Sequence, residues 1–240
     1  MRTFGVTDVG AVRRDNQDYF HIEQLQGRTV AVLCDGMGGA RAGAAASELG
    51  CTAFFANLSL ALSKQDVPDG DVLLSDAVSY ANLRVCDHSR SDKNCEGMGT
   101  TMVAAMAEGE VCHIANVGDS RAYHYQNGTL RQITRDHSYV EELVEQGLLR
   151  PEARNHPRKN LITRAVGLNY RLKCDCFTVP FGSGDRVLLC SDGLSNVVED
   201  EAMEQILRRE EEPEGACRAL LEAALEEGAP DNVTVLILSR

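Results

Sequence analysis

The chain has 240 residues, enough for one large domain or two small ones with a sizeable core. Its 36 acidic and 24 basic side chains give a formal charge of -12, a field that repels a nucleic-acid backbone and welcomes cationic metals. Gly and Pro are dispersed and no repeat or low-complexity linker interrupts the apolar runs, so a single domain over residues 1–240 is expected.

Residues 2–8 read as a first strand with a turn over 8–10, and residues 18–23 as a second, alternating one. The connection between them carries RRDNQD, denser in polar groups than a hairpin needs. Val30, Ala31, Val32, Leu33 and Cys34 are apolar without alternation, which suits a strand buried on both faces. That strand ends on Asp35, and Gly36, Gly38 and Gly39 then leave backbone uncovered for a ligand to approach. A helix of about twenty residues follows, with Leu49, Ala53, Ala56 and Leu60 as its apolar stripe. Past Pro68 and Gly70 comes a second, with Leu74, Val78, Ala81 and Val85, and the two are expected to lie antiparallel on a sheet.

Residues 97–107, 110–117, 121–125 and 129–134 read as a β-meander with turns at Glu108-Gly109, Gly118-Asp119 and Asn127-Gly128. Residues 136–167 hold a short helix and then a polar, basic stretch with Pro151 and Pro157, an excursion of a length that is often functional. Strands resume over 172–179 and 185–190. Two helices bearing Met203, Ile206, Leu207 and then Cys217, Leu220, Leu221, Ala224 precede a last strand over 233–238. Two groups of strands, each with a helical pair, imply an α+β fold of two stacked antiparallel sheets with helices outside.

Most of the nine cysteines (Cys34, Cys51, Cys112, Cys190 and Cys217 among them) sit in apolar segments and read as reduced, buried thiols, hence a cytoplasmic compartment. Cys174 and Cys176 share a strand face, but no CxxC pair or zinc-finger spacing occurs. The N-terminal ten residues lack an apolar h-region and no apolar run approaches the roughly 20 residues of a spanning helix, so no membrane is expected.

Asp35 follows VAVLC, Asp192 follows VLLCS and Asp231 precedes VTVLIL, so three strands each carry an aspartate at one end. With the last strand antiparallel to the other two, all three carboxylates meet at one edge, where they cannot all stay ionised without cations. Hard oxygen ligands in this number suit Mg²⁺ or Mn²⁺, with a glycine carbonyl such as that of Gly36 as a further ligand. A pair of such ions about 3.5–4 Å apart turns water into a nucleophile toward a phosphate ester. Arg13 in the polar loop offers a planar fork matched to two phosphate oxygens.

At this point the chain resembles the metal-dependent protein phosphatases of the PP2C family, bacterial branch. The resemblance rests on RRDNQD, DGMGG, MGTTMV, NVGDSRAY, TRDHS, LITRAVG, SDGL and DNVTV, in the family's order and spacing over essentially the whole chain. It implies a four-layer αββα sandwich and hydrolysis of phosphoserine and phosphothreonine by water on a Mn²⁺ or Mg²⁺ pair, without a phosphoenzyme. Carried over by motif, Asp35 bridges both ions, Asp192 and Asp231 complete the first, the Gly36 carbonyl binds the second and Asp18 orients a metal-bound water. Arg13 holds the phosphate, and Asp119 with Asp192 holds a third, weaker ion. The excursion near residues 145–165 corresponds to the family's flap. The implied partners are phosphorylated proteins, a serine/threonine kinase among them, with the phosphatase itself a monomer.

Two positions depart from the pattern. Met37 and Ala40 stand where some members carry a histidine, and Gln17 stands where eukaryotic members have a metal-binding glutamate. His137, which follows a strand, reads as structural. The competing readings are a pseudophosphatase that uses the fold as a binding module, and a Gly-loop nucleotide binder, which would want a lysine or exposed amides beside DGMGG.

Overall fold

The structure, a computed structural model, describes residues 1–149 and 161–240. Its strands are β1 (Arg2–Asp8), β2 (Asp18–Leu25), β3 (Arg28–Met37), β4 (Gly99–Thr100), β5 (Met102–Glu108), β6 (Val111–Val117), β7 (Arg121–Gln126), β8 (Thr129–Gln132), β9 (Asp175–Pro180), β10 (Arg186–Cys190) and β11 (Val233–Ser239). The helices are α1 (Ala40–Leu62), α2 (Gly70–Ser91), α3 (Tyr139–Glu145), α4 (Asp192–Ser195), α5 (Asp200–Arg209) and α6 (Pro213–Glu226). One sheet runs β1-β11-β10-β7-β8; the other runs β2-β3-β5-β6-β9, with β4 against β3. Neighbouring strands are antiparallel throughout.

Three apolar layers follow from the two-residue period of the strands. In β3, Ala31 and Leu33 face the other sheet, in one cluster with Val103 and Ile114 of their own sheet and Leu189, Leu236 and Leu238 of the opposite one. Val30, Val32 and Cys34 point the opposite way, into a layer closed by α1 and α2. The uniformly apolar run in β3 is thus a strand buried on both faces. On the other side, Leu188, Cys190, Val233, Val235 and Ile237 pack under α5 and α6. The expected four layers, helices over sheet over sheet over helices, are present.

Several expectations are corrected. Residues 97–134 do not form one meander, because β6 and β7 belong to different sheets. β9 takes the free edge of β6, β7 pairs with β10, and the chain changes sheets at Gly118-Asp119. Gly118 permits this: its φ is 109° and a Cβ there would lie 2.6 Å from Thr101 Cγ2. The stripe of α1 is also re-phased, since Ala56 is exposed and Leu60 is 64% exposed. In this Ala-rich helix the large side chains choose the face, and Phe54, Leu58 and Leu62 at four-residue spacing are buried instead. β3 continues through Asp35 to Met37, and β9 begins at Asp175, although Leu172 and Cys174 still pack on the helix layer. α1 is, by length and composition, apolar enough to cross a membrane, contrary to the sequence reading; half of that stretch is buried inside the fold. The expected flap falls largely on residues 150–160, outside the described residues.

The re-phased stripe predicts a contrast in urea denaturation. Leu58→Ala should lose about 2–5 kcal/mol by leaving a cavity, whereas Leu60→Ala should stay within about 0.5 kcal/mol of the parent. Equal losses at both positions would restore the original phase.

Candidate functional site

At one end of the layer between the sheets, the inward-facing positions turn polar. β2 runs inward from Ile22 and Phe20 to Asp18, β3 from Leu33 to Asp35, β10 from Leu189 to Ser191, and β11 from Leu236 to Thr234. Asp18 and Asp35 are direct partners in the β2–β3 register. Asp18 is 8% exposed. One of its oxygens, Oδ2, accepts from Thr234 Oγ1 at 2.6 Å and from Ser191 Oγ at 2.8 Å, two hydroxyls of the opposite sheet. Thr101 pins the backbone of Asp35, accepting from its amide at 2.9 Å through Oγ1 and donating its own amide to its carbonyl at 2.8 Å. Gly36 is required by close approach, since a Cβ there would lie 2.1 Å from the carbonyl oxygen of Gly43 in α1.

Above this floor opens a cavity of about 500 Å³. Arg13, Asp35, Gly36, Asp119, Asp192 and Asp231 all line it, so six of the seven residues singled out in the sequence are brought together. Asp18, the seventh, lies beneath the wall. Asp192 opens α4 immediately after β10, with Asn196 Nδ2 donating to its Oδ2 at 2.9 Å. Arg13 Nη2 donates to Asp231 Oδ2 at 2.7 Å, so the arginine sits at the mouth against one of the carboxylates. Gln17 lines the cavity with its side-chain amide donated to the Gly39 carbonyl at 2.8 Å. Met37 and Ile162 complete the apolar rim, and no histidine is among the described residues lining the cavity.

Burial pushes the carboxyls of Asp18, Asp35, Asp119 and Asp192 up. Asp18 rises to about 7 through loss of water, with Asp192 and Asp231 adding repulsion against the two hydroxyl bonds. Asp192 rises to about 6, by burial and then Asp231, and Asp119 to about 8, by burial and then Asp192. Asp35 is held well above its ordinary range by burial and by four neighbouring aspartates, Asp18 first.

The donor set fits hard cations. Asp18 Oδ1 and Asp192 Oδ1 are buried with no hydrogen-bond partner, which an ionised carboxylate tolerates only beside a cation or its waters. Among the described residues, no three of these carboxylates bring oxygens within 4.8 Å of one another. They are spread around the cavity.

Several functional residues went unassigned in the sequence. Asn232 accepts the Gln17 amide at 2.8 Å and donates to the carbonyls of Val9 and Asp15, tying the polar loop to β11. Thr101, Ser191 and Thr234 hold Asp35 and Asp18. Their signal was present as polar residues at alternate positions of apolar strands. His137 is structural, as expected: buried, it accepts the Gly118 amide on Nδ1 at 3.1 Å and sets Nε2 3.2 Å from Asp175. It thereby braces the crossover that carries Asp119.

A family model described as protein phosphatase 2C matches residues 12–227. The serine/threonine phosphatase stp of Listeria monocytogenes serotype 4b is 39% identical over 240 residues, covering 98% of this chain and 94% of that one. The crystal structure of the Mycobacterium tuberculosis serine/threonine phosphatase PstP superposes with a TM-score of 0.88 at 35% identity, covering 100% of this chain and 99% of that one. A structure of the PstP catalytic domain in complex with two manganese ions gives a TM-score of 0.84 at 34% identity, over 98% and 96% of the two chains.

The raised carboxyls predict an inverted pH dependence. Between about pH 4 and 8 the ion-free folded chain binds more protons than the unfolded one, whose aspartates titrate near 3.9, so stability falls as pH rises. Chelator-treated protein should unfold at higher urea at about pH 5.5 than at about pH 8, and Mn²⁺ should abolish the difference. Asp18→Asn should stabilise the ion-free protein at the higher pH while weakening Mn²⁺ binding. A midpoint that rises with pH under chelation would count against this reading.

Proposed function

This chain belongs to the protein phosphatase 2C family, and from that premise we propose that it hydrolyses phosphoserine and phosphothreonine in proteins, opposing serine/threonine kinases. The observation that carries the reading is the pair of orphaned, buried carboxylate oxygens on Asp18 and Asp192, in a cavity whose mouth holds Arg13. Asp35, Asp192, Asp231 and the Gly36 carbonyl would hold two ions, with Asp18 behind them. Bound there, Mn²⁺ or Mg²⁺ would acidify water and neutralise phosphoryl oxygens. Arg13 turns from Asp231 to the substrate phosphate, for which its fork provides two parallel hydrogen bonds. The hydroxyl of Thr101 is committed to the Asp35 amide and to Ser120, 2.8 Å away, and water is the attacking group. With no histidine among the described residues on the wall, the departing alkoxide takes its proton from water in the cavity. Asp119 and Asp192 would hold a third ion, weakly, because so few protein ligands face it.

The partners are phosphorylated proteins, including a serine/threonine kinase, met by a monomer in the cytoplasm. The nine free thiols suit a reducing compartment. A pseudophosphatase would keep the fold and bind phosphopeptide without turnover. Hydrolysis of p-nitrophenyl phosphate that requires Mn²⁺ and stops under chelation separates the two.

Asp35→Asn, Asp192→Asn and Asp231→Asn should each remove nearly all Mn²⁺-dependent turnover; most of kcat surviving in Asp35→Asn would sink the metal reading. Arg13→Ala should lower kcat/KM roughly ten- to hundredfold with Mn²⁺ titration intact. Asp119→Asn keeps the polar turn residue but not the charge, so it should lose phosphopeptide activity at limiting Mn²⁺. Parental activity across the whole titration would remove the third ion.

A further inference from the structure

A second cluster of ligating side chains lies outside the cavity. α2 ends at Ser91, Asp92 follows as its C-cap, and a single 3-10 turn over Lys93–Cys95 leads on toward β4. The sequence His88-x3-Asp92-x2-Cys95 places three potential ligands four and seven positions apart, one face of a helix end. In the fold, one ligand atom from each of the three lies within 4.8 Å of the other two, the one such group of His, Cys and acidic residues among the described residues. Backbone bonds lock the geometry: the Asp92 amide donates to the His88 carbonyl at 3.1 Å and the Cys95 amide to the Asp92 carbonyl at 2.9 Å. Asp92 Oδ1 caps the turn by accepting from the Asn94 amide at 2.9 Å, which leaves Oδ2 for another use. Cys95 is buried while His88 is exposed, so the group opens to solvent on one side.

We propose that His88, Asp92 and Cys95 form a binding site for a borderline-soft divalent cation such as Zn²⁺, distinct from the oxygen-lined cavity. The chemistry of the donors decides the class of ion. A thiolate and an imidazole select Zn²⁺ or Co²⁺, whereas the aspartates and the glycine carbonyl of the cavity select Mg²⁺ or Mn²⁺. Tetrahedral bonds of about 2.3 Å to sulfur and 2.0 Å to nitrogen or oxygen set neighbouring ligand atoms about 3.5 Å apart, so small side-chain rotations close the group. Binding displaces the thiol proton to solvent, and water takes the fourth position. The local role is to clamp the end of α2 to the segment that supplies Thr100 and Thr101.

The test is a Co²⁺ titration of the chelator-stripped full chain in excess Mg²⁺, which occupies the oxygen-lined cavity without colour. One equivalent of Co²⁺ should give an intense sulfur-to-cobalt charge-transfer band with tetrahedral visible bands. Cys95→Ser should abolish the charge-transfer band while Mn²⁺-dependent phosphatase turnover stays at the parental level, which shows the fold intact. His88→Ala, an exposed position that leaves folding untouched, should weaken Co²⁺ binding at least about tenfold. Cys174→Ser with Cys176→Ser should leave the band unchanged. No thiolate band in the parent, a band that persists in Cys95→Ser, or one lost with the Cys174 and Cys176 pair would each overturn the site.

Discussion

The structure depends on one opposition: Asp18 and Asp35 face each other in direct register across β2 and β3, inside the end of the layer between the sheets. Like charges directly opposite in a sheet repel, and burial deprives both of water. A cation, or a proton, must therefore be part of the folded state. The surrounding bonds are those needed to hold the two carboxylates in place despite the repulsion. Thr101 fixes the main chain of Asp35 on both sides of its peptide, and two hydroxyls from the other sheet hold one oxygen of Asp18. Its other oxygen is buried without a hydrogen-bond partner.

The sandwich serves this arrangement by bringing strands distant in sequence to one edge. β3 and β10 never pair, yet each faces the layer between the sheets, and each changes from apolar to polar at the same depth. Asn232 then ties the loop before β2 to the start of β11, and through that loop Arg13 reaches Asp231. Loop, strand ends and crossover thus meet around a single cavity, each anchored to a different part of the core. Thr101 and Asn232 anchor backbone through their side chains, whereas Asp18, Asp192 and Asp231 are held through their own carboxylate oxygens.

The two groups proposed to ligate metal differ in how they are assembled. His88, Asp92 and Cys95 come from eight consecutive residues and are set by a helix end and one turn. The aspartates of the cavity come from both sheets and exist as a group only when the sandwich is closed. Their donor atoms differ in the same way, soft sulfur and nitrogen against hard oxygen, so the two proposed sites would prefer different kinds of ion.

The sequence by itself determined the layers and most of the residues that gather at the cavity. The unbroken apolar run of Val30–Cys34 specified a strand covered on both faces, and aspartates beside such strands specified where charge would gather, because a buried strand can change character only at its ends. Motif order brought Arg13, Asp119 and the SDG and DNV aspartates into one reading. Pairing was beyond it. Residues 110–125 alternate as a hairpin would, and only the competition of β9 for the edge of β6, and of β10 for β7, sends the chain across at Gly118. The phase of α1 was undetermined for a similar reason: its many alanines bury nearly as well on any face, until the sheet selects Phe54 and Leu58. The supporting hydroxyls of Ser191 and Thr234 and the amide of Asn232 gain their roles from partners about 40 to more than 200 residues away. Local chemistry is written in the residue and its neighbours, whereas a contact between distant strands depends on which of several similar edges closes first and buries most, and that only the folded chain decides.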